Sequence, residues 1–138
     1  MRRALPLVLP ALLALAGCAG PLPQPDPNMA WVAMTAQPSD IFMSDQLDGK
    51  RTPDGRYFQV PPGAHELEAR YEFEVTGGDF GLFGETHTIR CTLVIRYDDF
   101  QPGQRYLFQA RSLGFTPQGW LRDEQRNVLV EAEAEHCH

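Results

Sequence analysis

From Trp31 onward, apolar and polar residues alternate along most of the chain, which is the spacing of half-buried β-strands rather than of helices. The clearest run, residues 66–75, has apolar side chains at the odd positions and charged ones at the even positions. A second run, residues 88–97, repeats this parity, with arginines among its even positions. Glutamates on one strand and arginines on the other predict charge pairs across two adjacent strands.

Shorter runs between glycine and proline residues predict further strands. They cover residues 30–36, 41–44, 56–60, 105–111, 119–122 and 127–134. Turn dipeptides separate several of them, such as Asp48-Gly49 and Asp54-Gly55, and no stretch of ten or more residues has a helical pattern. The fold class predicted is all-β: a single small antiparallel β-sandwich of seven or eight strands at residues 30–138.

The N-terminus has the layout of an export signal. Arg2 and Arg3 precede an apolar run, residues 4–16, without an acidic residue. At about 1.5 Å per helical residue this run spans roughly 20 Å, whereas a hydrocarbon core is about 30 Å thick. Two prolines within the run also disfavour a permanent membrane helix. We therefore predict a signal peptide at residues 1–17.

The tetrapeptide LAGC at residues 15–18 resembles the lipobox of bacterial lipoproteins. The resemblance implies cleavage before Cys18, a diacylglyceryl group on its thiol and a further acyl chain such as palmitate; more than one chain gives stable membrane binding. Ala19 follows Cys18 where aspartate signals inner-membrane retention, so the resemblance implies an outer-membrane lipoprotein on the periplasmic face. The alternative is an ordinary cleaved secretory signal in which Cys18 is incidental.

Residues 18–29 are predicted to form a tether between that anchor and the domain. Four of the residues between 19 and 28 are prolines, which favour an extended and poorly folding spacer.

Charge narrows the choice of partners. The chain has 138 residues, and without Arg2 and Arg3 it carries ten basic and 18 acidic side chains, a formal charge of −8. That length fits one domain beyond the signal. The acidic balance argues against nucleic acid and against contact with anionic lipid, since both require a basic patch, and the order of residues shows none.

Two cysteines beyond the signal, Cys91 and Cys137, are predicted to form a disulfide in an oxidising compartment. The bond would close a loop of about 46 residues, for which chain entropy gives about 4 kcal/mol of stabilisation.

Histidines raise the alternative of a metal site. His136 and His138 are two residues apart and would project to one side of an extended segment, with a third ligand from Glu135, His65 or His87. The competing interpretation of His65 is that it orders a turn by hydrogen bonds. We predict no metal and no other cofactor, and keep the His136 and His138 pair as the alternative.

The glycine-rich segment at 77–84 contains Phe80, Leu82 and Phe83 between the two clearest strands. It lacks the Lys-Ser/Thr and the helix start of a phosphate loop. These side chains either cover one end of the sandwich or form a partner-binding tip, and we predict the partner-binding role.

Three alternating glutamates near the C-terminus predict a solvated edge strand, because charge at an edge discourages unwanted pairing. They are Glu131, Glu133 and Glu135. Arg122 and Arg126 are the partners expected for them.

Catalysis has no recognisable motif. Ser39, Ser44 and Ser112 lack a Gly-x-Ser-x-Gly context, and no cysteine lies in a known nucleophile motif, so we predict that the protein is not an enzyme. Trp31 and Trp120 are interpreted as core or inter-sheet packing rather than as platforms for a ligand.

The segment VPPGAHELE at 60–68 resembles the turn and following strand of PEGA-like β-sandwich modules of bacterial envelope proteins, and PGQRY at 102–106 is similar to a later turn of that pattern. The resemblance covers roughly residues 31–108 and implies the fold rather than an activity. The function expected is therefore a non-catalytic, membrane-anchored envelope lipoprotein that acts as an interaction or assembly module in the periplasm. A metal- or small-ligand-binding lipoprotein is the alternative.

Overall fold

The computed structural model describes residues 3–4, 20–77 and 84–138. Within these ranges every regular element is a β-strand, which confirms the all-β prediction. The strands are β1 (Ala30–Thr35), β2 (Ile41–Leu47), β3 (Lys50–Arg51), β4 (Tyr57–Val60), β5 (Gly63–Gly77), β6 (Glu85–Phe100), β7 (Arg105–Leu113), β8 (Thr116–Arg122), β9 (Val128–Glu131) and β10 (Glu133–Glu135). In this part of the chain no helix has the length and hydropathy needed to cross a bilayer.

The strands form two five-stranded sheets packed face to face. Sheet A has the order β4-β1-β7-β8-β9, and sheet B has the order β10-β6-β5-β2-β3. One pair, β1 with β7, is parallel, which differs from the antiparallel arrangement expected. Parallel neighbours need a long crossover. Here the chain between β1 and β7 supplies it by building β2 and β3 of sheet B, β4 of sheet A, and then β5 and β6 of sheet B.

The core lies between the two sheets and follows the predicted alternation. Sheet A contributes Phe108, and sheet B contributes Tyr71 and Leu93, all with negligible exposure. The ring of Phe42 meets Phe108 edge-on, with centroids 4.9 Å apart. Burying an aliphatic or aromatic side chain of this kind stabilises the fold by about 1.5–3 kcal/mol.

Gly119 of sheet A lies in close contact with residues beside it. A Cβ atom there would lie 3.0 Å from the Cβ of Ala132 and 3.1 Å from Cδ1 of Leu93. A side chain at this position would therefore be crowded by its neighbours, although the backbone angles do not demand glycine.

The C-terminal strand predicted at residues 127–134 is divided between the two sheets. Strand β9 pairs with β8 in sheet A, whereas β10 pairs with β6 in sheet B. The chain changes sheet at Ala132, whose N–H donates to the carbonyl of Gly119 at 2.8 Å. Glutamates continue to alternate through this crossing, so the sequence pattern does not reveal it.

Strands β5 and β6 form a long antiparallel ribbon, and their register confirms the charge pairs predicted from the sequence. Glu66 lies opposite Arg96, and Glu72 lies opposite Arg90. The side chains meet at 2.8 Å in the first pair and at 3.3 Å in the second.

The predicted disulfide between Cys91 and Cys137 is confirmed, with the two Cα atoms 4.2 Å apart. Beside it, the N–H and the carbonyl of His138 both hydrogen-bond to the backbone of Arg90, at 2.9 Å each. The C-terminus is thus fixed to β6 by one covalent bond and two hydrogen bonds.

Residues 20–29 of the tether contain no strand or helix, and they contact sheet A. Nη1 of Arg56 donates to the carbonyl of Gly20 at 2.9 Å, and the N–H of Asp26 donates to the Gln59 side chain at 3.4 Å. At the other end, the N–H of Gly103 donates to the carbonyl of Met29 at 3.0 Å. This part of the tether is therefore held against the domain. Cys18 lies outside the described residues.

Candidate functional site

The β5–β6 ribbon is longer than its neighbours in sheet B and extends beyond them as an arm, whose inner residues Phe73, Val75 and Ile89 still pack against the core. The pairing of β2 with β5 ends at Glu72, and β10 pairs with β6 at residues 92–94. Residues 73–77 and 85–89 therefore continue as two paired strands, a length of roughly 16 Å at about 3.3 Å per residue. Exposed polar side chains line the outer part of the arm: Glu74, Thr76, Glu85, Thr86, His87 and Thr88.

The three apolar residues predicted to bind a partner, Phe80, Leu82 and Phe83, lie outside the described residues. They belong to the segment that joins the two strands of the arm.

His65 orders the corner at the start of β5, as the sequence predicted. Its ring nitrogens face the carboxylate of Asp48 and, at 3.2 Å, the carbonyl of Pro62. Asp48 also accepts a 2.8 Å hydrogen bond from the N–H of Glu66. That backbone hydrogen bond, followed by the one from His65, lowers the pKa of Asp48 below its ordinary value. This histidine is therefore part of a turn that ties the β2–β3 hairpin to β5.

His136 and His138 of the alternative metal site both line one surface pocket, together with Cys91 and Glu72. Among the described residues, no three histidine, cysteine, aspartate or glutamate side chains form a group that could hold an ion. His136 has a φ of 51°, so the backbone there is not extended as the ligand spacing requires. Its carbonyl instead accepts a hydrogen bond from Nδ1 of His138 at 3.1 Å. Of the possible third ligands, Glu135 faces an arginine of β6 and His87 lies on the arm.

Buried hydroxyl groups have structural partners. Oγ of Ser44 donates to the carbonyl of Asp54 at 2.8 Å and lies 3.0 Å from the hydroxyl of Thr52. The Tyr71 hydroxyl donates to Asp40 at 2.6 Å. Burial, and then this hydrogen bond, raises the pKa of Tyr71. These hydroxyls stabilise loops that enter and leave β2.

Both tryptophans lie on the outer face of sheet A. Trp31 is nevertheless buried, with 7% exposure, and serves packing as the sequence suggested, whereas Trp120 is partly exposed, so for Trp120 the interpretation as core or inter-sheet packing is wrong. Trp31 has sequence neighbours that point into the core on both sides, and its ring stacks on Tyr57 with centroids 4.3 Å apart. Trp120 is partly exposed and lies beneath two guanidinium groups, those of Arg111 at 5.2 Å and Arg122 at 5.8 Å. An aromatic ring between two cations is a surface arrangement.

The two outer faces of the sandwich carry opposite charge. Register places three arginines and one glutamate on the outer face of sheet A: Arg105, Arg111, Arg122 and Glu131. Register places six glutamates and four arginines on the outer face of sheet B: Glu66, Glu68, Glu72, Glu74, Glu133, Glu135, Arg51, Arg70, Arg90 and Arg96. By these residues the face of sheet B is net acidic and that of sheet A is net basic.

The glutamates near the C-terminus have a different cationic partner from the one predicted. Arg96 of β6 lies 3.0 Å from Glu133 and 3.6 Å from Glu135, in place of Arg122 or Arg126. The prediction failed because β10 belongs to sheet B, while β8 and its arginine belong to sheet A.

A cavity of about 450 Å³ lies between the β2–β3 hairpin and β4. Its apolar lining comes from Met29, Leu47, Pro53, Tyr57 and Pro61. Lys50 and Arg51 add two cations at its wall. The volume is within the range of small-molecule sites, about 300–1,000 Å³.

No protein-family model, curated protein or solved structure matches this chain. The fold class therefore rests on the arrangement of its own strands.

The basic outer face of sheet A was missed in the sequence. Arg105 and Arg111 share the odd parity of β7, and Arg122 shares the parity of Trp120 in β8. The sequence shows only that these arginines lie on the same face of their own strands. They become one surface through the pairing of β7 with β8.

Proposed function

We propose that this chain is a non-catalytic lipoprotein, anchored through Cys18 on the periplasmic face of the outer membrane, whose sandwich acts as an interaction or assembly module. The observation that carries the proposal is the arm. Its two strands extend past both neighbouring strands of sheet B and lead to the segment with Phe80, Leu82 and Phe83. An extended ribbon that ends in apolar residues suits contact with another protein.

The tether supports the anchoring part of the proposal. Gly20 lies two residues after Cys18 and is held by Arg56, so a lipid on Cys18 would keep the domain close to the membrane. Arg56 is itself fixed by a 2.7 Å contact with Asp54. This arginine lowers the pKa of Asp54 to about 2, so the pair stays charged near neutral pH.

The use of polar groups within the fold supports a non-catalytic role. Ser44, Tyr71 and His65 are the kinds of side chain that catalysis recruits, and each is bonded to a neighbouring turn or loop. Their positions give the loops around β2 and the start of β5 a fixed geometry.

The test is crosslinking of the full-length protein in its own membranes, followed by mass spectrometry. The intact mass of the mature protein first reports whether Cys18 carries lipid. The informative variant changes Phe80, Leu82 and Phe83 to serine together. The matched control is Ile41→Ser, which removes an apolar side chain that is 48% exposed on β2.

The proposal predicts one abundant crosslinked partner that is lost in the triple variant and retained in Ile41→Ser. Retention of the partner in the triple variant would exclude the arm tip as the contact. A mature protein without lipid on Cys18 would contradict the anchor.

The cavity favours one second candidate, a lipoprotein that binds a small ligand. Apolar walls with two cations, Lys50 and Arg51, against the one carboxylate of Asp48 suit a small amphipathic anion. Titration with octanoate, with octanol as the neutral control, tests this function. The ligand-binding function requires that octanoate bind more tightly than octanol, and that the Lys50→Gln variant bind the two equally. Elemental analysis tests the metal form, which stoichiometric zinc or copper would support.

A further inference from the structure

The outer face of sheet A has the composition of a surface that contacts anionic lipid. Arg105, Arg111 and Arg122 lie on it, and Trp120 lies between the last two. Arginine is attracted to anionic headgroups, and tryptophan prefers the boundary between headgroups and acyl chains. Glu131 is the acidic side chain in register with Trp120 on this face.

Exposed apolar side chains lie around the same face. Leu113, at the end of β7, is 57% exposed, and Val128 of β9 is 47% exposed. Leu113 is at an odd-numbered position of β7, like the outward-facing Arg111, and Val128 pairs with the outward-facing Arg122. Leu22 of the tether is 52% exposed. Apolar residues beside arginines and a tryptophan are typical of an interfacial surface.

The tether lies on this side of the domain. It covers Trp31 on the outer face of sheet A, and Asp26 hydrogen-bonds to Gln59, whose neighbour in register is Trp31. Cys18 is within two residues of Gly20, a reach of about 7 Å. A lipid on Cys18 would therefore hold the edge formed by β4 and the β3–β4 loop near the bilayer, and the outer face of sheet A adjoins that edge.

We infer that the outer face of sheet A lies against the anionic membrane surface that holds the lipid anchor. The contact residues are Arg105, Arg111, Arg122 and Trp120, and the acidic face of sheet B is turned away from the membrane. This inference rests on the proposed function, since it requires lipid on Cys18. It also sets the direction of the arm, which then runs along the membrane and presents its end to a partner beside the anchor.

The experiment uses the full lipidated protein inserted into vesicles. The chain has two tryptophans, so Trp31→Phe leaves Trp120 as the single emitter. Its fluorescence is compared on vesicles of phosphatidylcholine mixed with phosphatidylglycerol, with and without bromine on the acyl chains, because bromine quenches tryptophan at short range. Vesicles of phosphatidylcholine alone show the dependence on anionic lipid.

We expect bromine to quench Trp120, and more strongly when phosphatidylglycerol is present. In the Trp31→Phe background, we change Arg105 and Arg111 to glutamine. At about 1 kcal/mol per arginine, this should lower about thirtyfold the ratio of molecules whose sheet A face lies against the membrane to molecules whose face is free. The matched control changes Arg70 and Arg90, on the outer face of sheet B, to glutamine and should leave quenching unchanged.

Two outcomes separate failure of the inference from failure of the proposed function. Equal Trp120 emission on brominated and plain vesicles, from protein that floats with them and carries lipid on Cys18, would overturn the membrane-facing surface alone. Equal quenching of Trp120 in the sheet A variant and in the sheet B control variant would also overturn the membrane-facing surface. Protein without lipid on Cys18 would overturn both.

Discussion

The outer faces of the two sheets use the same alternation of side chains for different purposes. On sheet B, Arg96 is shared by Glu66 and Glu133, and the hydrogen bond that Arg96 donates to Glu66 is the largest cause of the raised pKa of Arg96. On sheet A, Arg111 and Arg122 lie over Trp120 and hydrogen-bond to neutral side chains. Charges that are paired across strands stabilise register. Arginines that stack on an aromatic ring are not neutralised by a carboxylate, so they can attract an external anionic partner.

Removing the disulfide should have the largest effect on the difference between the two sheets, because this bond holds the end of the chain against sheet B. Changing Cys91 and Cys137 together to alanine should lower the free energy of unfolding by about 4 kcal/mol, from the entropy of the loop they close. Urea denaturation measures it. A loss below about 1 kcal/mol would mean that the backbone pairing of His138 holds the C-terminus without the disulfide.

The aromatic packing of sheet A is the next largest effect. Trp31→Ala should cost about 3 kcal/mol, because the ring is 7% exposed and loses its contacts with Tyr57 and the tether. Trp120→Ala should cost about 1 kcal/mol, since its ring is partly exposed. Equal losses in thermal or urea unfolding would show that the two tryptophans do not differ in role.

The corner beside sheet B should make stability depend on pH. The folded-state pKa of Asp48 is lowered, so its contribution is full above the unfolded value of about 3.9 and declines as pH falls below it. Asp48→Asn should cost about 1 kcal/mol at neutral pH, a value reduced for its exposure. The difference between wild type and variant should narrow toward pH 3. A constant difference in urea denaturation across that range would contradict this cause.

The smallest expected effect comes from removing one arginine from each sheet, Arg96 from sheet B or Arg111 from sheet A. Arg96→Gln should lower the free energy of unfolding slightly, and by less at high salt, because three glutamates lose their shared cation. Arg111→Gln should change stability by less than about 0.5 kcal/mol. If added salt lowers the stability of wild type and Arg96→Gln equally, the network of Arg96 does not stabilise the fold.

Local pattern predicted much of the fold and little of its surface. Alternation identified β5 and β6, and even their charge pairs, because each signal lies within one continuous run. The parity of Trp31 placed it in a strand, but which face is the core depends on the neighbouring sheet. The basic face was not predictable because Arg105, Arg111 and Arg122 meet only after β7 and β8 pair. The switch at Ala132 was hidden for the same reason, since both sides of it have the same pattern.

The parallel pairing of β1 with β7 also affects the order of assembly. Strand β1 is among the first parts of the domain to be synthesised, yet it is an interior strand of its sheet, and β7 must arrive before both of its edges are covered. Contacts between residues far apart in sequence form slowly. The apolar side of β1 therefore stays incompletely covered until Arg105–Leu113 is available to pair with it. Under the export route that we propose, we expect maturation to depend on chaperones that bind unfolded chains, more than the small size of the protein suggests.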